Sequence, residues 1–234
     1  MSVLTSLGIL VLIALILAFM QLVPGVFSLL LHFASGKFSK NQKSDLATFF
    51  ILGAETFIVL TLLLTYIIFS NSPTLFWTID NPIFSWILAG ILIAFGILIF
   101  ILYFRRGSQT ELFISRQLAQ NYQAKAQNTK TRSDAFTLGF TSALPEFIFT
   151  FPLYLVAIIT TMQTQTNTIA SAGTIILLAI IAILPLLISH FLSAHGYTLA
   201  DSLRFRTHNR TFFRLCLPLF YFLTALLIIL GVSS

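Results

Sequence analysis

The sequence predicts an all-α integral membrane protein, one transmembrane domain over residues 1–234, built of six helices as two inverted three-helix halves. Three observations lead there. The chain is 57% hydrophobic and only 9% charged, with a mean hydropathy of +0.96. Its apolar runs are each long enough to cross a hydrocarbon core of about 30 Å, which takes roughly 20 helical residues. All 13 basic residues fall in alternate connectors or at the span ends beside them. A soluble domain carries about a quarter charged residues, so that class is excluded. The runs are continuously apolar with no alternation of faces, so they read as helices and not barrel strands.

In chain order the spans are about 5–34, 46–70, 82–105, 136–161, 169–196 and 211–232. The first has no basic residue before Lys37 and exceeds the length of a secretory h-region, so it reads as a retained helix. Ser44-Asp45 and Ser133-Asp134 read as N-caps of the second and fourth helices, and Asn71-Ser72-Pro73 and Asp80-Asn81-Pro82 bracket a short connection. The halves are about 5–105 and 135–232, joined by the only long polar segment, 106–134. In it Thr110 and Glu111 start a helix that carries Ile114, Leu118 and Tyr122 on one face and lies in the membrane interface. Gln127 to Arg132 reads as flexible linker.

Lys37, Lys40 and Lys43 follow the first span. Arg105, Arg106, Arg116, Lys125, Lys130 and Arg132 follow the third, and Arg204, Arg206, Arg210 and Arg214 the fifth. By the positive-inside rule those connectors are cytoplasmic and both termini lie outside, in the plasma (inner) membrane. A pI of about 9.8 thus reports topology and contact with anionic headgroups. Nucleic acid is not expected as a partner, because no aromatic-interleaved basic platform accompanies the charge. The partners expected are the bilayer and a small solute or ion, and association into a homo-oligomer is compatible with this class.

Two acids, Glu55 and Glu146, sit inside apolar runs. A carboxylate in hydrocarbon costs several kcal/mol unless it is protonated, paired or in a wet cavity. Glu146 follows Pro145, and a proline inside a helix removes a donor and leaves an acceptor about four residues earlier unsatisfied. The first span is broken in the same way at Pro24-Gly25, and the fifth contains Pro185. At 1.5 Å per residue Glu55 lies roughly 14 Å and Glu146 about 15 Å into their spans. Pro24 and Pro185 fall at a similar depth, so four helices are expected to line one pocket with Glu55 and Glu146 as its binding or proton-coupling groups. Gln21, Ser142, Thr56, Thr141 and Thr150 are the polar neighbours, and His32 or His190 is a candidate relay.

Enzyme signatures are missing: there is no G-x-S-x-G, H-E-x-x-H or P-loop, so neither catalysis nor a cofactor is expected. No one helix has metal-ligand spacing, so a metal would have to be gathered from several. The lone Cys216 excludes an internal disulfide and a C-x-x-C relay.

Val23-Pro24-Gly25, Ser35-Gly36-Lys37 and Leu52-Gly53 in the first half, and Phe136-Thr137-Leu138-Gly139-Phe140, Arg214-Leu215 and Leu230-Gly231 in the second, give a layout that resembles the six-span carriers of the lysine-exporter (LysE) superfamily. Its cadmium-resistance, tellurium-resistance-type (TerC) and cytochrome-biogenesis (CcdA-like) branches share that layout. The chain has Pro24-Gly25-Val26 and Leu144-Pro145-Glu146 where the exporters have Pro-Gly-Pro and Asn-Pro, and no cysteine at either break. The resemblance implies a two-repeat carrier with its site at Pro24, Gly25 and Pro145. The expected function is secondary transport, as an exporter, of a small cationic or zwitterionic solute such as an amino acid or metal ion, with proton coupling. The alternative is a non-transporting membrane scaffold or subunit whose buried acids bind partner helices.

Overall fold

The computed structural model describes residues 3–21, 39–71, 82–103, 116–164, 168–195, 201, 204–205 and 208–233. Pro24, Gly25 and His32 lie outside the described residues. Those described form helices and no strand. The helices are α1 (Val3–Met20), α2 (Lys40–Ser70), α3 (Pro82–Leu98, ending in a π turn at Ile99–Tyr103), α4 (Arg116–Asn128), α5 (Arg132–Ser142), α6 (Leu144–Thr164), α7 (Thr168–Ala194) and α8 (Arg210–Ser233).

This is a membrane protein by the length and apolarity of its helices. Asn41–Ser70, Ile83–Ile101 and Ile169–Ser193 are each long and apolar enough to cross a bilayer, and α5 with α6 makes a fourth crossing if that bent pair is one span. The apolar parts of α1 and α8, Leu4–Met20 and Leu215–Gly231, are shorter. Large side chains such as Ile87, Ile180, Leu184 and Phe191 stand exposed on the long helices, where acyl chains rather than water suit them.

Helix starts differ from those expected of the sequence. α2 begins at Lys40 with Ser39 as N-cap: the Gln42 amide donates to Ser39 Oγ (3.3 Å) and the Ser39 amide to Gln42 Oε1 (3.1 Å). Ser44 and Asp45 therefore lie inside the helix. α5 begins after Thr131, whose Oγ1 accepts from the Asp134 amide (3.1 Å) while Asp134 accepts from the Thr131 amide (3.3 Å). Ser133-Asp134 is thus the first turn and not the cap. Hydrogen bonds donated to the exposed Asp134 carboxyl, from the Thr131 side chain foremost and then from the Thr131 and Lys130 amides, hold it below the usual aspartate range. The supposed flexible linker 127–132 shrinks to three residues between α4 and α5. A reciprocal cap satisfies orphan amides outside the membrane, whereas the apolar run marks only where the helix enters lipid.

α6 is the central helix. Leu153, Tyr154, Val156, Ala157, Ile158 and Ile159 are all buried, as a helix surrounded by others requires. It touches α1, α2, α3 and α7, while α8 packs between α1 and α3 and α2 lies against α5 and α7. The core joins Ile9, Ile13, Leu17 and Met20 of α1 to Leu153 and Ala157 of α6 and to Tyr221 and Ala225 of α8.

Candidate functional site: the α5–α6 elbow

The span expected over 136–161 is two helices, meeting at Ala143 and bent by 74°. The bend falls at Ala143-Leu144-Pro145-Glu146, the break expected from the sequence. Its cause is local. Pro145 has no amide hydrogen, so the Thr141 carbonyl loses its helical donor, and the proline ring crowds that carbonyl. Depth reckoned along a straight helix does not hold past this bend. Glu146 lies in the first turn of α6, and its side chain is outside the described residues.

Hydroxyls close the end of α5. Tyr122 of α4 donates to the Thr141 carbonyl at 2.6 Å, replacing the donor that Pro145 lacks. Thr141 Oγ1 donates to the Thr137 carbonyl (2.8 Å) and Ser142 Oγ to the Gly139 carbonyl (2.7 Å). In the same way Thr56 donates back to Leu52 (2.7 Å) and Thr150 to Phe147 (3.4 Å). Four of the polar neighbours expected to face a ligand (Thr56, Thr141, Ser142 and Thr150) thus spend their protons on their own helices.

A second tyrosine donates to the backbone of α6. Tyr221 of α8, fully buried, donates to the Phe149 carbonyl at 3.0 Å, one turn ahead of Pro152, and lies 3.9 Å from Met20 Sδ at the end of α1. Gln21, the residue after Met20, is buried as well. One hydroxyl therefore gathers the end of α1, just before Pro24, and the first turns of α6, just after Glu146.

α2 closes the third side. Phe57 meets Phe140 of α5 and Phe147 of α6 edge-on, with ring centroids 5.3 and 5.9 Å away. Glu55 and Glu146 each stand within two residues of the Phe57–Phe147 contact. Glu55 itself is half-buried. At about 100° per residue it lies roughly 160° around α2 from Gly53, away from the α5 crossing. Pro185 is half-buried within α7, which runs through it unbroken, so no helix break occurs there. His190 is half-buried near the end of the same helix. Among the described residues no three His, Cys, Asp or Glu side chains are grouped to hold a metal ion.

No family model, curated protein or solved structure matches the chain.

Two features of the elbow's surroundings escaped the sequence reading. The α2–α5 crossing is set by glycines: a Cβ on Gly53 would lie 2.1 Å from the Phe136 carbonyl oxygen, and one on Gly139 would lie 1.9 Å from that of Phe50. The contact is reciprocal, and its two sides share a spelling, Phe50-Ile51-Leu52-Gly53 and Phe136-Thr137-Leu138-Gly139. Contacts advance together along both helices, from the Asp45–Arg132 ion pair through the glycines to Phe57–Phe140, so α2 and α5 run in the same direction. The repeated tetrapeptide was a legible signal. The second feature, Tyr122 as donor to the break, had none, because nothing in the linker's composition says where its helix docks.

Proposed function

We propose that the chain is a secondary transporter of a small cationic or zwitterionic solute such as an amino acid or metal ion, working as an exporter and coupled to protons. In this reading six spans form two inverted three-helix halves in the plasma membrane, with both termini outside. The observation that carries it is an acidic residue at a sharp helix break within an otherwise apolar bundle. Irregular backbone inside a membrane persists only in protein or along a cavity, and carriers place their sites at such breaks. Glu146 is the coupling group and Glu55 the second acid. The convergence of the end of α1, the start of α6 and the Phe57 region of α2 on one level supports a common site. The likeness to lysine-exporter carriers, with Pro24, Gly25 and Pro145 at the breaks, points the same way.

The half-exposure of Glu55, on the side of α2 away from the crossing, favours a second reading in which it meets a partner helix and the chain is a scaffold. One experiment separates the two. Proteoliposomes holding the wild type, Glu55→Gln or Glu146→Gln are loaded with a pH-sensitive dye and challenged with a panel of amino acids and divalent cations. Transport requires solute-dependent proton movement in the wild type that Glu146→Gln lowers at least about tenfold, the scale on which a coupling acid acts. Silence of the wild type toward the whole panel, with capture of a membrane partner that Glu55→Gln abolishes, selects the scaffold.

A further inference from the structure

We propose that α4 is a latch on the elbow, with Tyr122 as its bolt. The Thr141 carbonyl is the acceptor that Pro145 leaves without a helical donor, and the Tyr122 hydroxyl supplies that donor from a different helix at 2.6 Å. The tyrosine is buried to 8% exposure although α4 is polar elsewhere: Gln120, Asn121, Gln123, Lys125 and Gln127 are all exposed. Among the described side chains of this segment, Tyr122, Ala126 and the following Thr129 alone are buried. Through Tyr122 and Ala126, α4 joins the buried apolar cluster of the bundle.

Two further features make the docking consequential. α4 has 13 residues, a length at which a polar helix is marginal in water, so its helicity depends on being docked. Three residues join it to α5, which is held on α2 by the close Gly53–Gly139 crossing, with Arg132 adding an exposed pair to Asp45 and a contact over the Phe49 ring (5.4 Å). When α4 lifts, α5 stays in place and the Thr141 carbonyl beside the break keeps only the Ala143 amide as donor. An ammonium group or water then takes the position of the phenol. The latch thus governs whether the elbow presents a backbone oxygen to a cationic solute. That consequence rests on the transporter reading; the latch does not.

Hydrogen–deuterium exchange on the full-length protein in nanodiscs tests it. Tyr122→Phe keeps the ring and deletes the donor. Exchange should rise about tenfold in peptides covering 117–128 and 141–147, the effect of one buried hydrogen bond on a local opening, with the peptides of α2 and α8 unchanged. Ala126→Asn, which leaves the hydroxyl intact and spoils the packing beside it, should raise exchange in the same two segments. Unchanged exchange in both variants, or a rise spread evenly over all helices, overturns the latch. Proton flux measured on the same samples is scored separately. A wild type inert in flux with a local exchange response removes transport and keeps the latch, and the reverse pattern does the opposite.

Discussion

The tightest constraints rest on single atoms. Gly53 and Gly139 each face a backbone carbonyl at a distance no Cβ tolerates, and a carbonyl cannot swing away as a side-chain tip can. Gly53→Ala or Gly139→Ala should therefore force the α2–α5 crossing apart, at a cost of about 2–3 kcal/mol, the upper range for overpacking. Gly90 and Gly173 also lie inside helices, but a methyl added at either would meet no atom within 4 Å. Alanine there should leave stability unchanged or raise it by up to about 1 kcal/mol. Melting of the detergent-purified variants distinguishes the pairs, and equal Tm values for all four would mean that α2 and α5 do not cross at these glycines. Tyr221→Phe belongs at the same scale: it removes a buried hydrogen bond to the Phe149 carbonyl and should cost about 1 kcal/mol. The acids and prolines could be read from the sequence because charge and missing amides are properties of one residue. The glycine contacts and both tyrosine bonds could not, since each is defined by a partner far away along the chain.

Among the helices, the apolar runs are helical wherever the structure describes them, the one over 136–161 as a bent pair and the one through Pro185 unbroken, and the other departures gather at their ends. Ser44-Asp45 and Ser133-Asp134 sit beside the apolar boundary, which is why they look like caps. The helices start earlier, at Ser39 and Thr131, because a reciprocal cap forms wherever the spacing of side chain and amide permits, in water as readily as in lipid. Ser39→Ala and Thr131→Ala should each cost about 1 kcal/mol, whereas Ser44→Ala should cost nothing measurable. The cap on α5 also carries a pH dependence. Its bonds lower the Asp134 pKa in the folded state, so its contribution is complete above the ordinary aspartate pKa and fades as pH falls through the lowered one. Amide exchange at the start of α5 should quicken in acid, and Asp134→Asn should flatten that response. By contrast Asp45 and Arg132 are 51% and 66% exposed. Removing either should shift Tm little, since exposed pairs contribute between about 0 and 1 kcal/mol.

For the molecule as a whole, orientation is the property on which every functional reading depends, and it can be decided without a substrate. The Asp45–Arg132 pair brings the starts of α2 and α5 to one end of the bundle, as required if the basic connectors share a face. Among the described residues apolar length alone gives three crossings, or four with the bent pair, because Leu4–Met20 and Leu215–Gly231 fall short of the usual span. Charge placement demands six. These demands differ at α1 and α8, so those helices are where labelling decides. In a Cys216→Ser background, single cysteines at Leu4, Lys43, Asn71, Lys125, His208 and Gly231 are treated with an impermeant maleimide in right-side-out and inverted vesicles. Six spans with cytoplasmic basic connectors require Leu4, Asn71 and Gly231 to react only from outside, and Lys43, Lys125 and His208 only from inside. Leu4 reacting from the same side as Lys43 would mean that α1 dips into the membrane without crossing it. The first half would then lack the odd number of spans that turns the second half over, and the inverted repeat would fall with it. The elbow at Pro145 and its tyrosine donor would stand unchanged, since neither depends on which way the bundle faces.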